Sequence, residues 1–141
     1  MSILGANVVK NYINGRWVES KAKETQDVIN PATGELLAKA PMSTREETLQ
    51  AIEAGNAAFE RWRATPALTR VRHLNRIRDA FEENFEELSK ILTMEQGKAL
   101  DESRGEYRRT IENLECATSV PSLQMGYNTE DIASGIDEMV I

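Results

Sequence analysis

The chain has 141 residues and a net charge of −6, with 40% hydrophobic and 28% charged residues. This length corresponds to one ordinary globular domain with enough apolar residues to form a core. Because a surplus of negative charge repels polyanions, we expect no binding to nucleic acid or to a membrane surface. One cysteine and one histidine exclude an internal disulfide framework and a Cys/His zinc site. We therefore expect a cytoplasmic protein without a signal peptide or a transmembrane segment.

The N-terminal part of the chain predicts two β-hairpins. Asn14-Gly15 stands between the pairs 12–13 and 17–18, which is typical of a type I′ turn because both turn positions need a positive φ. The segment 30–34, Asn-Pro-Ala-Thr-Gly, combines a proline of fixed φ with a glycine suited to a left-handed position. This segment predicts the turn of the second hairpin.

Helices follow the hairpins, and the first helix has two alternative starts. A capping box pairs a hydroxyl residue with a glutamate three positions later, and both Ser43 with Glu46 and Thr44 with Glu47 fit that pattern. Apolar residues at helical spacing then predict one buried stripe on each of three helical segments. These residues are Leu49, Ile52, Phe59 and Trp62, then Leu68, Val71, Leu74, Ile77 and Phe81, and finally Leu100, Tyr107, Ile111 and Leu114.

Proline and glycine divide the helical region. Pro66 is tolerated in the first turn of the second helical segment, and Gly97 is suited to the end of that segment. A third helix is predicted from about Lys98 towards Ala117, because Pro121 disfavours its continuation.

Residues 127–141 have a different character. The segment from Ile136 to Ile141 has the composition of a strand, and the sequence ends there without a turn or a cap. We therefore expect this chain to be truncated. A strand without a partner exposes backbone groups and apolar side chains, so we also expect self-association through residues 136–141.

Cys116 is the first candidate for chemistry, because a thiolate can act as a nucleophile. It lies late in the third helix, where the helix dipole and the nearby Glu112 and Glu115 disfavour an anion. We interpret it as a small packing residue. His73, beside two arginines on the second helix, is interpreted as a surface or half-buried histidine.

Arg109 is the second candidate. Gly105 lies about one turn before it and Glu112 about one turn after it, so the three residues share a helix face that is separate from the Tyr107, Ile111 and Leu114 stripe. A glycine inside a helix leaves room for a close approach, and an arginine beside it could hold a carboxylate. The alternative is an exposed arginine paired with Glu106 or Glu112.

Four motifs then point to a family. They are Tyr-Ile-Asn-Gly-Arg-Trp-Val at 12–18, Asn-Pro-Ala-Thr-Gly-Glu at 30–35, Ala-Phe-Glu-Arg-Trp at 58–62 and Glu-Gln-Gly-Lys at 95–98. In this order they resemble the N-terminal part of the NAD(P)-dependent aldehyde dehydrogenases. The resemblance implies an α/β parent with a Rossmann-type NAD domain. The piece present would be helix-rich α+β, with N-terminal β-hairpins and a C-terminal arm strand. Residues 1–126 would belong to the NAD-binding domain and 127–141 would start an oligomerisation arm.

Two further segments, 105–112 and 120–126, are similar to the CoA-acylating methylmalonate-semialdehyde dehydrogenase branch. This resemblance implies that the parent enzyme uses NAD and coenzyme A to oxidise a carboxylated semialdehyde, and that Arg109 binds the substrate's carboxylate. Thr110 stands where the branch typically has glycine, which leaves the exact semialdehyde open. The resemblance places the catalytic cysteine and the nucleotide-binding strands later in the chain, so Cys116 does not match the nucleophile. We expect this chain alone to be inactive and to bind no cofactor.

Two alternatives remain at this stage. The chain could be a self-contained helical interaction module without a cofactor, because it has the size of a domain and carries its own amphipathic helices. It could also belong to an aldehyde dehydrogenase of another substrate class.

Overall fold

The computed structural model describes residues 7–140, which form β-strands and α-helices in a simple order. The elements are β1 (Asn11–Ile13), β2 (Arg16–Val18), β3 (Thr25–Ile29), β4 (Leu36–Pro41), α1 (Arg45–Arg63), α2 (Ala67–Glu83), α3 (Phe85–Gln96), α4 (Leu100–Leu123), β5 (Tyr127–Ala133) and β6 (Ile136–Val140). The strands form three antiparallel hairpins, β1–β2, β3–β4 and β5–β6. In addition, Val8 forms an isolated parallel bridge with Lys39 of β4. The predicted helix-rich α+β character, with N-terminal hairpins and a C-terminal strand, is confirmed.

The elements divide into two compact units. Among the described residues, one unit contains residues 7–65 together with Glu86–Arg104, and the other contains Pro66–Phe85 together with residues 105–140. The predicted domain boundary between residues 126 and 127 stays a prediction. No helix in the described part of the chain is both long and apolar enough to cross a membrane.

Both N-terminal hairpins form where the turn residues predict them. Asn14 and Gly15 have φ values of 50° and 76°, as a type I′ turn requires. Tyr12 and Trp17 face each other across β1 and β2, with ring centroids 5.0 Å apart. In the second hairpin Gly34 has a φ of 74°. Leu37 and its neighbour Ala38 in β4 are buried.

Of the two candidate capping boxes, the one formed by Thr44 and Glu47 begins α1. The Thr44 amide donates to the Glu47 carboxylate at 2.9 Å, and the Glu47 amide donates to the Thr44 hydroxyl at 3.3 Å. The same carboxylate accepts bonds from the Ser20 hydroxyl at 2.9 Å and the Lys21 amide at 2.7 Å. Glu47 therefore fastens the segment after β2 to the first turn of α1, and these hydrogen bonds lower its pKa.

Gly97 ends α3, as its sequence position predicts, and it also permits a tertiary contact. Its φ is 86°, in the left-handed region. A Cβ atom at this position would lie 2.6 Å from Cγ of Pro31, which belongs to the turn of the second hairpin. Glycine is thus needed both for the backbone conformation and for the approach of Pro31.

Helix α4 is longer than predicted, and this is a correction. It continues through Pro121 to Leu123, whereas the proline was expected to follow its end near Ala117. Pro121 has no N–H to donate, so one helical hydrogen bond is lost. The side chains of Thr118 and Ser119 each donate to the carbonyl three residues earlier, at 2.7 Å. The carbonyl left without a helical donor by Pro121 is that of Ala117, whereas these side-chain bonds go to the carbonyls of Glu115 and Cys116. The helix nevertheless persists through the proline.

The expectation that Ile136 to Ile141 lacks a partner strand is wrong. Strand β6 pairs with β5, and Tyr127 faces Val140 at the open end of the hairpin. Ile141 lies outside the described residues. The partner was missed because the middle of β5 is polar, Asn-Thr-Glu-Asp, and resembles a loop.

The predicted helix stripes are confirmed as helical but only partly as core. Ile111 of α4 is fully buried, together with Ser89 and Ser103. In contrast, all four stripe residues of α1 are exposed, with Phe59 retaining 55% of its surface. The apolar pattern of α1 therefore has no core to cover it within the described residues.

Candidate functional site

The candidate site is the exposed face of α4 that carries Gly105, Arg109 and Glu112. A turn of 3.6 residues places these three on one side of the helix and Tyr107 and Ile111 on the other. The burial pattern agrees, because Ile111 is fully buried whereas Arg109 and Glu112 are exposed. The helical period in the sequence thus predicts the orientation of Arg109.

An aromatic cluster on the opposite side sets the rotation of α4. The Tyr107 ring lies between Phe81 and Phe85, with centroid distances of 5.6 Å and 5.5 Å. The Arg108 guanidinium lies 4.7 Å from the Phe85 ring centroid and forms an ion pair with Glu82. These contacts hold the two residues before Arg109, so Arg109 itself is directed away from the cluster.

The hydroxyl of Tyr107 is buried without a hydrogen-bond partner in the described part of the chain. Burial raises the pKa of Tyr107, because the charged phenolate is disfavoured away from water. No feature of the sequence singled out this group, since an apolar stripe at helical spacing does not distinguish tyrosine from phenylalanine.

The neighbouring arginines of α4 are already paired with carboxylates. Arg104 donates to Glu86 of α3 through two bonds of 3.0 Å and 2.8 Å, and to Asp101 through a bond of 2.8 Å. The hydrogen bonds from Arg104 lower the pKa of Glu86. With Arg108 bound to Glu82, both guanidinium groups have their own partner.

Arg109 differs from both neighbours. Its side chain is exposed, and no hydrogen bond or ion pair engages it within residues 7–140. The alternative of a surface pair with Glu106 or Glu112 is therefore not realised. A Cβ atom added to Gly105 would meet nothing within 4 Å, so the surface beside Arg109 is open. Chemically, this arrangement can offer a planar two-pronged donor to a carboxylate.

The other candidates show no catalytic arrangement. Cys116 is exposed on the Arg109 face, so its interpretation as a packing residue is wrong. The helical spacing between Ile111 and Cys116 already places Cys116 on a different side of α4 from the buried Ile111. The interpretation as a packing residue relied instead on its position late in the helix. His73 is an exposed helix residue, as predicted, and contacts Arg76 with 2.7 Å between Nδ1 and Nη2. Among the described residues, no three His, Cys, Asp or Glu side chains are arranged to hold a metal ion.

The residues present do not fit a dinucleotide. A pyrophosphate is typically held at a glycine-rich turn between a parallel strand and a helix. In residues 7–140 every sheet is a two-stranded antiparallel hairpin, and no such strand–turn–helix unit occurs. We assign no residue of this chain to NAD.

Comparison with known proteins identifies the family. The sequence model of the aldehyde dehydrogenase family matches residues 17–140. The chain is 49% identical over 129 residues to malonate-semialdehyde dehydrogenase of Bacillus cereus, which covers 92% of this chain and 26% of that protein. The chain thus spans about a quarter of the length of the curated relatives it matches.

Solved structures agree with the sequence match. Methylmalonate-semialdehyde dehydrogenase from Oceanimonas doudoroffii is 34% identical with a TM-score of 0.81, covering 93% of this chain and 27% of that structure. A Sinorhizobium meliloti protein assigned as methylmalonate-semialdehyde dehydrogenase, solved with NAD, is 28% identical with a TM-score of 0.82, covering 94% and 27%. The predicted resemblance and the predicted parent fold are therefore confirmed. With its fold and its sequence both matched, this chain belongs to the aldehyde dehydrogenase family.

Proposed function

We propose that this chain contributes the carboxylate-binding segment of an NAD-dependent dehydrogenase that converts malonate or methylmalonate semialdehyde to an acyl-CoA. The 49% identity to malonate-semialdehyde dehydrogenase supports this substrate class over other aldehydes. Because the chain covers 26% of that relative, the activity is proposed for a longer enzyme that contains this segment.

The observation that carries the proposal is the guanidinium of Arg109, which has no hydrogen-bond or ion-pair partner within residues 7–140. Arg104 and Arg108 lie within five residues of it and are both engaged by carboxylates, whereas Arg109 is exposed beside the open position of Gly105. A semialdehyde of malonate carries one carboxylate, which an arginine can bind through two parallel hydrogen bonds. Such binding would orient the substrate by the end opposite its aldehyde.

We assign the reactive groups to the part of the enzyme outside this chain. Cys116 is not the proposed nucleophile, since the family resemblance places the catalytic cysteine later in the sequence and Cys116 is an exposed residue of α4. When bound, NAD supplies the hydride acceptor and coenzyme A the acyl acceptor. The role left for this chain is to bind and orient the carboxylate.

We also propose that the hairpin β5–β6 associates with another copy of the enzyme. An isolated two-stranded hairpin is marginally stable in water. Tyr127, Ile132, Ile136 and Met139 of this hairpin are each more than half exposed. Association would cover these side chains and the free edge of the hairpin.

The substrate role can be tested in a chimera in which this chain replaces the matching quarter of the Bacillus cereus relative. A charge-assisted bond to a carboxylate contributes about 1.5–3 kcal/mol, so Arg109→Leu should lower kcat/KM for malonate semialdehyde roughly 10- to 100-fold. Propanal has no carboxylate, and its kcat/KM should change little.

Arg108→Leu is the matched control, because it removes the adjacent arginine, whose charge is already paired with Glu82. It should affect both aldehydes equally. If Arg109→Leu also reduced the two activities by the same factor, Arg109 would have a structural role and the proposed function of this site would be given up.

A further inference from the structure

Glu112 is a second charged side chain on the Arg109 face of α4. It is exposed, and no hydrogen bond or ion pair engages it within residues 7–140. The same holds for Arg109, three residues earlier. A glutamate and an arginine at this spacing on a helix surface commonly pair with each other, and here they do not. Among the described residues, this face therefore presents an uncommitted cation next to an uncommitted anion.

The direction of helical side chains places these two charges at different heights along α4. Each Cα–Cβ bond tilts towards the helix N-terminus, so a long side chain covers the turn before its own Cα atom. Arg109 therefore extends over Gly105, where a Cβ atom would meet nothing within 4 Å. Glu112 extends over the base of Arg109, because Cβ atoms at this spacing are about 5–6 Å apart. A carboxylate bound by Arg109 above Gly105 thus has the negative charge of Glu112 behind it.

The nearest other cation on α4 does not cancel this charge. Arg108 lies four residues before Glu112 and forms its ion pair with Glu82 of α2. The hydrogen bond to Glu82 raises the pKa of Arg108 most, and the negative charges of Glu112 and Glu115 raise it further. The electrostatic field of Glu112 therefore reaches the preceding turn of the helix, although the hydrogen bond of Arg108 goes to Glu82.

We propose that Glu112 determines specificity by charge: Arg109 holds one carboxylate, and Glu112 repels a ligand that carries a second. This inference deepens the proposed function and rests on it. A semialdehyde of malonate has a single carboxylate, because its other end is an uncharged aldehyde. The corresponding dicarboxylate offers the same group to Arg109 and would compete with the substrate. Glu112 disfavours this dianionic competitor more than it disfavours the substrate.

The size of the discrimination follows from Coulomb's law. Two like unit charges about 6 Å apart in a water-like dielectric change a binding constant about threefold. The repulsion acts once on a ligand with one net negative charge and twice on a dianion, so removing it should strengthen binding about threefold and about tenfold, respectively. A ligand without net charge should be almost unaffected. Because salt at about 1 M screens exposed charges over roughly 3 Å, these differences should largely vanish there.

The test uses three small carboxylates of similar size that differ in net charge. Malonate is a dianion at neutral pH, propanoate a monoanion, and 3-aminopropanoate a zwitterion without net charge. Each is measured as a competitive inhibitor of malonate-semialdehyde oxidation by the chimera with the Bacillus cereus relative. Glu112→Gln should lower the inhibition constant about tenfold for malonate and about threefold for propanoate, and should leave that for 3-aminopropanoate nearly unchanged.

The kinetics of the substrate itself give a second measure of Glu112→Gln. KM for malonate semialdehyde should fall about threefold with kcat unchanged, because the repulsion acts equally on the bound substrate and on the transition state. Propanal has no charge, so its kcat/KM should stay the same. The urea midpoint of the variant should also match that of the unchanged chimera, since Glu112 has no hydrogen bond to lose within the described residues.

Glu115→Gln is the matched control, because it removes the same charge from the same helix. Glu115 is exposed, and its position six residues after Arg109 places it on another side of α4. This variant should change none of the three inhibition constants. If it reproduced the series seen with Glu112→Gln, the effect would belong to the overall charge of the helix, and the proposal would be overturned.

The charge dependence decides the role of Glu112. Equal shifts for the three carboxylates, or graded shifts that persist in about 1 M salt, would overturn the proposal, because Glu112 would then act through packing. Weaker binding of propanoate to Glu112→Gln would overturn it as well, since Glu112 would then help to hold Arg109 in place.

The proposed function fails separately from this inference. If Arg109→Leu lowered the activities towards malonate semialdehyde and propanal by the same factor, the substrate role of Arg109 would be lost, and the role of Glu112 with it. If Arg109→Leu were selective but Glu112→Gln gave no graded shift, only the role of Glu112 would be lost.

Discussion

Replacement of Gly97 by alanine should be one of the most destabilising single-methyl additions in this chain. Gly97 has a φ of 86°, and left-handed backbone costs a residue with a side chain about 1–2 kcal/mol. The new Cβ would lie 2.6 Å from Cγ of Pro31, so the ring of the second hairpin turn would have to move. Overpacking of this kind typically costs about 1–3 kcal/mol. The sum predicts a loss of about 2–5 kcal/mol in the free energy of unfolding.

Substitutions at two other glycines separate the backbone cost from the cost of overpacking. Gly34 also has a left-handed φ, 74°, but a Cβ there meets nothing within 4 Å. Gly34→Ala should therefore cost only the backbone part, about 1–2 kcal/mol. Gly105 lies in the interior of α4, also with nothing within 4 Å. Gly105→Ala should stabilise the chain by about 1 kcal/mol, because alanine favours the helix.

Urea denaturation followed by circular dichroism and by tryptophan fluorescence would measure all three variants. The m-value should stay constant, which would show that the substitutions change stability without changing the surface exposed on unfolding. The expected order of stability is Gly105→Ala, unchanged chain, Gly34→Ala and Gly97→Ala. If Gly97→Ala cost no more than Gly34→Ala, the contact with Pro31 would have no energetic weight and the reasoning would be refuted.

Three further predictions concern other parts of the chain. Tyr107→Phe removes a buried hydroxyl without a partner and should raise the free energy of unfolding by about 1 kcal/mol in urea denaturation. The pKa of Glu47 is lowered in the folded state, so its stabilising contribution is present above the unfolded pKa and lost as pH falls through the folded pKa. The difference in urea midpoint between the unchanged chain and Glu47→Gln should therefore be largest near neutral pH and shrink in acid. Removal of residues 127–141 should abolish self-association of the chain in light scattering, because the exposed apolar hairpin is lost.

Each of these has a clear contrary result. A destabilised Tyr107→Phe variant would mean that the hydroxyl has a partner in solution. If the difference in urea midpoint between the unchanged chain and Glu47→Gln persisted in acid, the stabilising effect of Glu47 would not depend on its negative charge. A full-length chain that is strictly monomeric and resists proteolysis in its last hairpin would contradict the association through β5–β6.

Local chemistry in the sequence was sufficient for the turns and for the orientation of the candidate site, whereas the structure had to decide between the two capping boxes of α1. Asn14-Gly15 and Gly97 specify left-handed backbone, which few other residues adopt, and the structure places both as predicted. The period of the α helix alone separates Arg109 from the buried side of α4, because that separation depends on backbone geometry. The family motifs added the proposed substrate class, which no spacing argument could supply.

Contacts between distant segments were decided by the tertiary structure. Helix α4 continued through Pro121. The polar strand β5 became the partner of β6, because backbone pairing across the hairpin outweighed the weak strand preference of its residues. The sequence also marked the α1 stripe as apolar without showing that it is exposed. Arg104 and Arg108 find carboxylates 18 and 26 residues away, and only the packing of helices brings these groups together. Arg109 is the arginine left over from that pairing, so the feature that makes it a candidate substrate ligand exists only in the folded chain.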